Sequence, residues 1–360
     1  MSLFHRCRIG AMPLTIGLAT IVLAVACQDT TTAPPPVFSI QQAPTSSGDL
    51  QRDTVLATPS PLRVIVRAGD APAVDVVVYW TIEVDGSVIT TEITRTDPSG
   101  VASLSLTFGS KPTVYSVQAR LGPDPGGSAV TFTLTATPGR AAALRIVAGS
   151  NQTDTVTAQL GAEYVVQVTD AHGNSAPDVG IEWTVAAGGG SITPAQSRTT
   201  APNGYSSARH TLGRGTGVNS VVATLAELGA QVEFQAVATV ARPTTLTMLS
   251  GNNQSAETNQ RLGADYVVRV TDSYGNPVAG VVIDWTIVAG GGELSPTRDT
   301  TDVDGLASTR ATGGTAAGAQ IVKATASVLS APVQATFTST ITAPPPPPPA
   351  PEPELSLIHI

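Results

Sequence analysis

Residues 160–170 read LGAEYVVQVTD, and residues 262–272 repeat them as LGADYVVRVTD. In the second copy, the alternate residues Tyr266, Val268 and Val270 fall on one side of an extended strand. Further matches follow in the same order, including a tryptophan-threonine pair and a glycine triplet in each copy. A spacing of about 100 residues is that of a whole β-sandwich domain and is too long for a solenoid unit.

A third, more divergent copy precedes these two. The sequence contains three tryptophans, and each copy contains one of them, at Trp80, Trp183 and Trp285. Because apolar residues alternate with polar ones around each tryptophan, we predict that it packs between the two sheets of a sandwich. The alternative is a platform on which a sugar ring stacks.

A turn of the pattern Asp-x-x-Gly-Asn follows the repeated strand in the two later copies. Its aspartate can cap the turn, and its glycine can adopt a positive φ. We expect turn residues at Asp170, Gly173, Asn174, Asp272, Gly275 and Asn276. The first copy has Arg67–Pro72 in this place and lacks the pattern.

A second kind of turn occurs farther along each later copy. Asn203-Gly204 and Asp304-Gly305 stand between predicted strands. Such dipeptides favour tight turns, so we expect hairpins at both places.

The composition supports an all-β fold. Aromatic residues make up only 4% and charged residues 13%, whereas glycine (34) and proline (28) are abundant, as expected for short strands joined by turns. Outside the first 26 residues, no window shows sustained helical periodicity. We predict three tandem immunoglobulin-like β-sandwich domains with a flexible N-terminal tether and a Pro-rich C-terminal tail.

Cysteine content and charge exclude several functional classes. Both cysteines, Cys7 and Cys27, lie near the N-terminus, so the rest of the chain can form no disulfide and no Cys-ligated zinc or iron–sulfur site. The net charge is −8. Since no cluster of Lys and Arg is present, we expect no nucleic-acid partner.

Few residues suggest a chemical role. Asp299, Asp302 and Asp304 could supply oxygen ligands to Ca²⁺, but the preceding copy has no equivalent set, so turn capping is favoured. His172 and His210 are replaced by tyrosine and alanine in the next copy, which indicates surface substitutions. No catalytic triad, carboxylate pair or phosphate loop is recognisable. We therefore predict that the protein is not an enzyme and needs no metal or cofactor.

The N-terminus has the pattern of a secretory signal. Arg6 and Arg8 precede an apolar run that ends at Ala26. The sequence LAVAC at 23–27 resembles the lipobox of bacterial lipoproteins, with the leucine one position farther from the cysteine than usual. The resemblance implies acylation of Cys27, and Gln28 in place of aspartate favours the outer membrane. Simple secretion and an uncleaved membrane anchor are the alternatives, although two glycines and a proline interrupt the run.

The order of motifs resembles the bacterial Ig-like domain of the invasin/intimin type (Big-1-like). The matching elements are Val-Thr-Asp-x-x-Gly-Asn, a hydrophobic strand, an Asp/Asn-Gly turn, a Gly-rich turn and a final Val-x-Ala-Thr strand. The two later copies match over most of 140–340, whereas the first copy rests on Trp80 and its second half. The resemblance implies a stalk-like module, and it does not extend to the adhesive function of invasins.

The C-terminal region has two distinct parts. Residues 342–354 are rich in proline, which predicts an extended polyproline II spacer. Residues 355–360, LSLIHI, resemble the peptide that a common transposon-based sequencing adapter encodes. We expect these six residues to be an artefact of a truncated gene model, with a further domain lost beyond the spacer.

These observations predict seven segments. They are a lipoprotein signal peptide (1–26), a disordered tether (27–58), repeat one (59–138), repeat two (139–241), repeat three (242–341), the Pro-rich spacer (342–354) and the artefact (355–360). The leading hypothesis is an adhesin-like stalk of the cell envelope, an outer-membrane lipoprotein acting in surface presentation or cell adhesion. Its partners would be the membrane, through the lipid, and an extracellular protein or glycan. A glycan- or protein-binding surface module and an accessory stalk for a C-terminal enzyme are the alternatives.

Overall fold

The computed structural model describes residues 37–44, 48–123, 128–326 and 333–348. These residues form strands, turns and bends, and they contain no helix. The strands assemble into successive β-sandwiches that correspond to the three repeats. The predicted all-β fold of tandem Ig-like sandwiches is confirmed.

The described residues of each repeat form nine strands. Those of repeat one are β1 (Phe38–Gln42), β2 (Arg52–Thr54), β3 (Leu62–Ala68), β4 (Ala71–Pro72), β5 (Val77–Val84), β6 (Ser87–Arg95), β7 (Val101–Leu104), β8 (Thr113–Arg120) and β9 (Ala129–Thr137). Those of repeat two are β10 (Ala141–Ala148), β11 (Gln152–Thr155), β12 (Tyr164–Asp170), β13 (Gly180–Ala187), β14 (Ser191–Thr193), β15 (Gln196–Arg198), β16 (Tyr205–Thr211), β17 (Gly217–Leu225) and β18 (Ala230–Thr239). Those of repeat three are β19 (Pro243–Ser250), β20 (Gln254–Glu257), β21 (Tyr266–Asp272), β22 (Val282–Ala289), β23 (Glu293–Ser295), β24 (Arg298–Thr300), β25 (Leu306–Thr312), β26 (Gly318–Ala326) and β27 (Val333–Thr342).

Two sheets face each other in every repeat. Repeat two has a four-stranded sheet in the order β10-β12-β16-β14 and a five-stranded sheet in the order β11-β18-β17-β13-β15. Repeat three has the same two orders, β19-β21-β25-β23 and β20-β27-β26-β22-β24. In repeat one, the five-stranded sheet is β2-β9-β8-β5-β6, and the other sheet is built from β1, β3, β4 and β7.

The start of each repeat is shared between its two sheets. In repeat two, β10 pairs antiparallel with β12, and the chain then crosses to the opposite sheet, where β11 pairs parallel with β18. Strands β2 and β20 make the same parallel pairing with β9 and β27. The beginning and the end of each repeat are therefore hydrogen-bonded to each other, which ties the chain termini of the repeat into its own sandwich.

The core follows the two-residue alternation of the strands. Tyr266, Val268 and Val270 of β21 are fully buried, and the residues between them are only partly buried. Every core also contains a tryptophan packed near a phenylalanine, with ring centroids 6.0 Å apart in repeat one and 5.8 Å apart in each of the other two. Because each repeat has its own hydrophobic cluster, each sandwich supplies its own main source of stability.

The predicted tether over 27–58 is wrong for much of its second half. Strand β1 pairs with β3, and β2 pairs with β9, so both belong to repeat one. Ile40 is the one buried side chain in these two strands, and the alternation of Phe38 with Ile40 is too short to stand out as a periodic signal in the sequence. Among the described residues, the strands of repeat one therefore begin at Phe38.

The turns at Asn203-Gly204 and Asp304-Gly305 are not the hairpins that the sequence predicts. Strands β15 and β16, which flank the first turn, belong to different sheets, and the same holds for β24 and β25. Gly204 and Gly305 adopt φ values of +65° and +74°. The glycines thus provide the tight turn that was expected, but the turn carries the chain from one sheet to the other.

Candidate functional site at the junctions between repeats

The turn after β12 is organised around one carboxylate. Asp170 Oδ1 accepts hydrogen bonds from the backbone N–H groups of His172 at 2.9 Å and Asn174 at 2.8 Å. Asp170 Oδ2 accepts hydrogen bonds from the backbone N–H of Gly139 and the side-chain amide of Asn174, both at 2.9 Å. Four donors thus converge on a carboxylate that is almost fully buried. Gly173 supports this geometry with a φ of +78°.

This turn contacts two other segments of the chain. Gly139 lies in the linker between repeats one and two, since only residues 138–140 separate β9 from β10. The amide of Asn174 also donates a hydrogen bond to the carbonyl oxygen of Ser110, in repeat one, at 2.8 Å. Asp170 therefore holds the linker, and Asn174 holds the preceding repeat.

The same arrangement joins repeat three to repeat two. Asp272 accepts hydrogen bonds from the backbone N–H groups of Tyr274 at 2.8 Å, Asn276 at 2.9 Å and the linker residue Ala241 at 3.2 Å. The side-chain amide of Asn276 donates to Asp272 and also to the carbonyl oxygen of Arg214, in repeat two, at 2.8 Å. Arg214 follows β16 as Ser110 follows β7, so the two acceptor loops occupy the same place in successive repeats.

The second junction has one further contact. The hydroxyl groups of Thr157 in repeat two and Tyr274 in repeat three lie 3.0 Å apart. Tyr274 occupies the position that His172 has in repeat two. The difference between these two residues, which the sequence comparison assigned to a variable surface, falls at the contact between repeats.

The electrostatics of the turn favour an ionised aspartate. Burial alone would raise the pKa of Asp170, but the hydrogen bonds that it accepts, first of all from Asn174, lower the pKa below its usual value. The pKa of Asp272 is lowered in the same way against the effect of burial, first of all by Asn276. A negative carboxylate strengthens every N–H bond that it accepts, so the charge helps to hold the linker in place.

The three tryptophans lie inside the cores. Trp80, Trp183 and Trp285 are 0%, 3% and 3% exposed. The indole N–H of Trp80 donates to Thr94 Oγ1, and that of Trp183 donates to Ser197 Oγ. An indole buried to this extent offers no face on which a sugar ring could stack.

Two of the three candidate calcium ligands accept hydrogen bonds from backbone N–H groups. Asp302 Oδ1 accepts hydrogen bonds from the N–H groups of Asp304 and Leu306, both at 2.9 Å. Asp299 accepts one from the N–H of Ser308 at 2.8 Å. In the part of the chain that the structure describes, no group of three or more His, Cys, Asp or Glu side chains could hold a metal ion.

The prediction that both histidines are surface substitutions is wrong for His210. Its side chain is 1% exposed, and its Nδ1 lies 3.2 Å from the hydroxyl oxygen of Tyr164. The position belongs to the inward-facing set of β16, and Ala311 at the same place in β25 is also buried. His172 is exposed.

The role of the asparagines across the junctions was missed at the level of sequence, although a signal was present. The Asp-x-x-Gly-Asn pattern occurs in repeats two and three, each of which follows another repeat. It is absent from repeat one. The repeated asparagine of the pattern, whose type is not needed to cap the turn, is the signal that pointed to a further contact.

Several predicted features lie outside the described residues. They are the signal peptide, Cys27, residues 349–354 of the Pro-rich spacer and the terminal hexapeptide. Within the described ranges, no helix is long and apolar enough to cross a membrane.

Residues 245–338, which lie within repeat three, match the family model of the bacterial Ig-like domain (group 1). This match confirms the resemblance to the invasin/intimin type of domain. No curated protein matches the chain.

The chain is also similar to three solved structures. FdeC, an Escherichia coli adhesin, is 17% identical over 86% of this chain and 99% of its own, with a TM-score of 0.47. InvD of Yersinia pseudotuberculosis is 14% identical over 81% of this chain and 95% of its own, with a TM-score of 0.44. Invasin, described as a bacterial integrin-binding protein, is 15% identical over 85% of this chain and 60% of its own, with a TM-score of 0.41.

Proposed function

We propose that the chain is a lipid-anchored stalk of the cell envelope that acts in surface presentation or cell adhesion and performs no catalysis. The observation that supports a stalk is the repeated junction, in which an Asp-Asn turn binds both the linker and the preceding repeat. A stalk must hold its modules in a fixed direction, and short linkers with side-chain contacts across the boundary restrict that direction.

The energetic scale of the junction is modest but sufficient to bias orientation. A typical protein hydrogen bond contributes about 0.5–1.5 kcal/mol net, and bonds to a charged group contribute more. Each junction has at least one bond between repeats and one between the linker and a carboxylate. Bonds that together contribute about 2 kcal/mol raise the population ratio of this orientation to all others roughly thirtyfold.

The anchor is proposed from the sequence. The basic residues, the apolar run and the small residues before Cys27 support cleavage of residues 1–26 and acylation of the cysteine. Acyl chains contribute about 0.8 kcal/mol per buried CH₂, so several chains give stable attachment to an outer membrane. The ligand of the stalk would be an extracellular protein or glycan.

Metabolic labelling with a palmitate analogue tests the anchor. The full chain expressed in a Gram-negative host should incorporate the label and fractionate with membranes, and Cys27→Ser should abolish incorporation. Cys7→Ser is the matched control and should be labelled like the unchanged chain, because Cys7 lies within the segment that is removed. Labelling that survives Cys27→Ser would refute the proposed acylation site.

Small-angle X-ray scattering tests the stalk. Three sandwiches in line, with strands rising ~3.3 Å per residue, would form a rod on the order of 100 Å long. A compact globule of about 330 residues would instead have a radius of gyration of about 20 Å. We expect the chain from residue 28 onward to exceed that value clearly, and a radius near 20 Å would contradict a stalk.

A further inference from the structure

Strand β6 differs from the structure at the same place in the other repeats. It forms a hairpin with β5 through Asp85 and Gly86, and it is nine residues long at the edge of the five-stranded sheet. In repeats two and three, the corresponding segment is divided between the two sheets, and the edge strands β15 and β24 are each three residues long. On this side of the five-stranded sheet, repeat one therefore presents a much longer edge strand than its neighbours do.

The outer side of β6 lacks most of the features that protect sheet edges. Edge strands carry N–H and C=O groups without partners, and proteins commonly shield them with lysine, proline, bulges or short length. Strand β6 contains neither lysine nor proline; the protective features that it does have are two charged residues, Glu92 and Arg95, and one register shift in its pairing with β5, near the hairpin end. The eight-residue edge strands β10 and β19 are each interrupted by two such shifts.

Three exposed aliphatic side chains lie along this edge. Val88, Ile89 and Ile93 are 57%, 56% and 63% exposed. Ile89 is skipped in the register between β5 and β6, so no residue of β5 lies opposite it. Large aliphatic side chains beside an open backbone edge are the features by which one strand recognises another.

We propose that β6 pairs antiparallel with β6 of a second copy of this chain. The strand is complementary to itself: in an antiparallel pairing centred on Thr91, Ile89 of one copy lies opposite Ile93 of the other. The two-fold symmetry of such a pair produces this contact twice. The pairing joins the five-stranded sheets of two molecules into one continuous sheet.

The charges of the strand are compatible with this pairing. Strand β6 contains one acidic and one basic residue, Glu92 and Arg95, whereas the whole chain carries a net charge of −8. In the register centred on Thr91, Glu92 lies opposite Thr90, and Arg95 lies opposite Ser87. No like charges stand directly opposite each other, so two copies can approach here without the repulsion that a uniformly acidic surface would cause.

Sedimentation velocity tests the proposal. The chain from residue 28 onward, which keeps every described residue, should shift from monomer to dimer between about 1 µM and about 500 µM. Ile93→Lys adds a charge at the pairing surface and should weaken dimerisation roughly tenfold or more. Val303→Lys is the matched control, because Val303 is 82% exposed in repeat three and its replacement should leave dimerisation unchanged.

A single introduced cysteine tests the register independently. The chain from residue 28 has no cysteine, so Thr91→Cys places one thiol per copy at the proposed symmetry axis. Mild oxidation should give a covalent dimer with Thr91→Cys and not with Val303→Cys. A chain that remains monomeric at all concentrations, or a dimer that Ile93→Lys does not weaken, would overturn the proposal.

Discussion

The two later repeats satisfy the same buried tyrosine hydroxyl with different partners. In repeat two, Tyr164 lies 3.2 Å from His210 Nδ1, and in repeat three, Tyr266 lies 2.5 Å from Ser339 Oγ. A buried hydroxyl normally needs a hydrogen-bond partner, so each core supplies one from a different strand. Only the partner in repeat two, a histidine, is of a residue type whose ordinary pKa lies near neutral pH.

The buried histidine predicts that repeat two loses stability in mild acid. Burial lowers the pKa of His210, so the folded state resists the proton that the unfolded chain accepts below about pH 6.5. The free energy of unfolding of repeat two therefore has its full value above that pH, and it declines as the pH falls towards the folded-state pKa of His210. The loss is at most about 1.4 kcal/mol per pH unit. Hydrogen exchange at pH 7 and pH 5, corrected for the intrinsic rate, should show it in β12 and β16.

Repeat three provides the design of the control for this pH effect. Ala236 stands where repeat three has Ser339, and Ala311 stands where repeat two has His210. The double variant His210→Ala/Ala236→Ser therefore transfers the partner of Tyr266 to Tyr164. We expect its repeat two to keep the same stability between pH 7 and pH 5. An acid loss of equal size in this variant would show that another group is responsible.

At the residue scale, the sequence predicts the local structure of the turns but not the contacts that they make with distant parts of the chain. Asp170 and Gly173 could be recognised because capping and positive φ are local properties of a short stretch. The bond from Asn174 to Ser110 joins residues far apart in the sequence, and neither residue type indicates the other. His210 was misjudged because its equivalent in repeat three is alanine, which fits both a core and a surface.

At the scale of the strand, two turn glycines of repeat two differ in how closely they are packed. A Cβ added at Gly204 would lie 2.6 Å from the carbonyl oxygen of Val168, whereas one added at Gly173 would meet nothing within 4 Å. Both glycines have positive φ values. The pair therefore separates the cost of backbone conformation from the cost of a steric clash.

Alanine at these two positions should destabilise repeat two unequally. Gly173→Ala forces a residue with a Cβ into the left-handed conformation, which should lower the free energy of unfolding by about 1–2 kcal/mol. Gly204→Ala also pushes β12 away from the turn, so we expect a total cost of about 3 kcal/mol or more. Urea unfolding followed by tryptophan fluorescence measures both. Equal losses would mean that the turn moves freely and that Gly204 is not needed for close packing.

The strands that could be predicted are those that bury one face. Strand β21 alternates between buried and partly buried side chains along its whole length. Strands β2 and β11 lie at sheet edges, pair over three or four residues and keep largely exposed side chains, so their sequences resemble those of loops. Their strand character comes from parallel pairing with the last strand of the repeat, which no local pattern encodes.

At the scale of the whole molecule, the direction of successive repeats depends on a few contacts. Residues 138–140 and 240–242 are the complete linkers between strands of adjacent repeats. The cores of the repeats are separate, so no shared hydrophobic cluster holds two sandwiches together among the described residues. The polar contacts of the Asp-Asn turns therefore contribute a larger share to the orientation of the repeats than similar contacts contribute to the stability of a sandwich.

Removing the asparagine should loosen a junction without unfolding either repeat. Asn174→Ala deletes the bond to Ser110 and one donor to Asp170, but it leaves the three backbone N–H bonds to that carboxylate. Spin labels at cysteines introduced as Thr131→Cys and Glu233→Cys, one in each repeat, should show a broader distance distribution in this variant. Asn203→Ala is the matched control and should leave the distribution narrow, because Asn203 is exposed and, among the described residues, its side chain makes no hydrogen bond to the linker or to repeat one. If Asn174→Ala leaves it equally narrow, the linker alone sets the orientation, and the proposed stalk loses its main structural support.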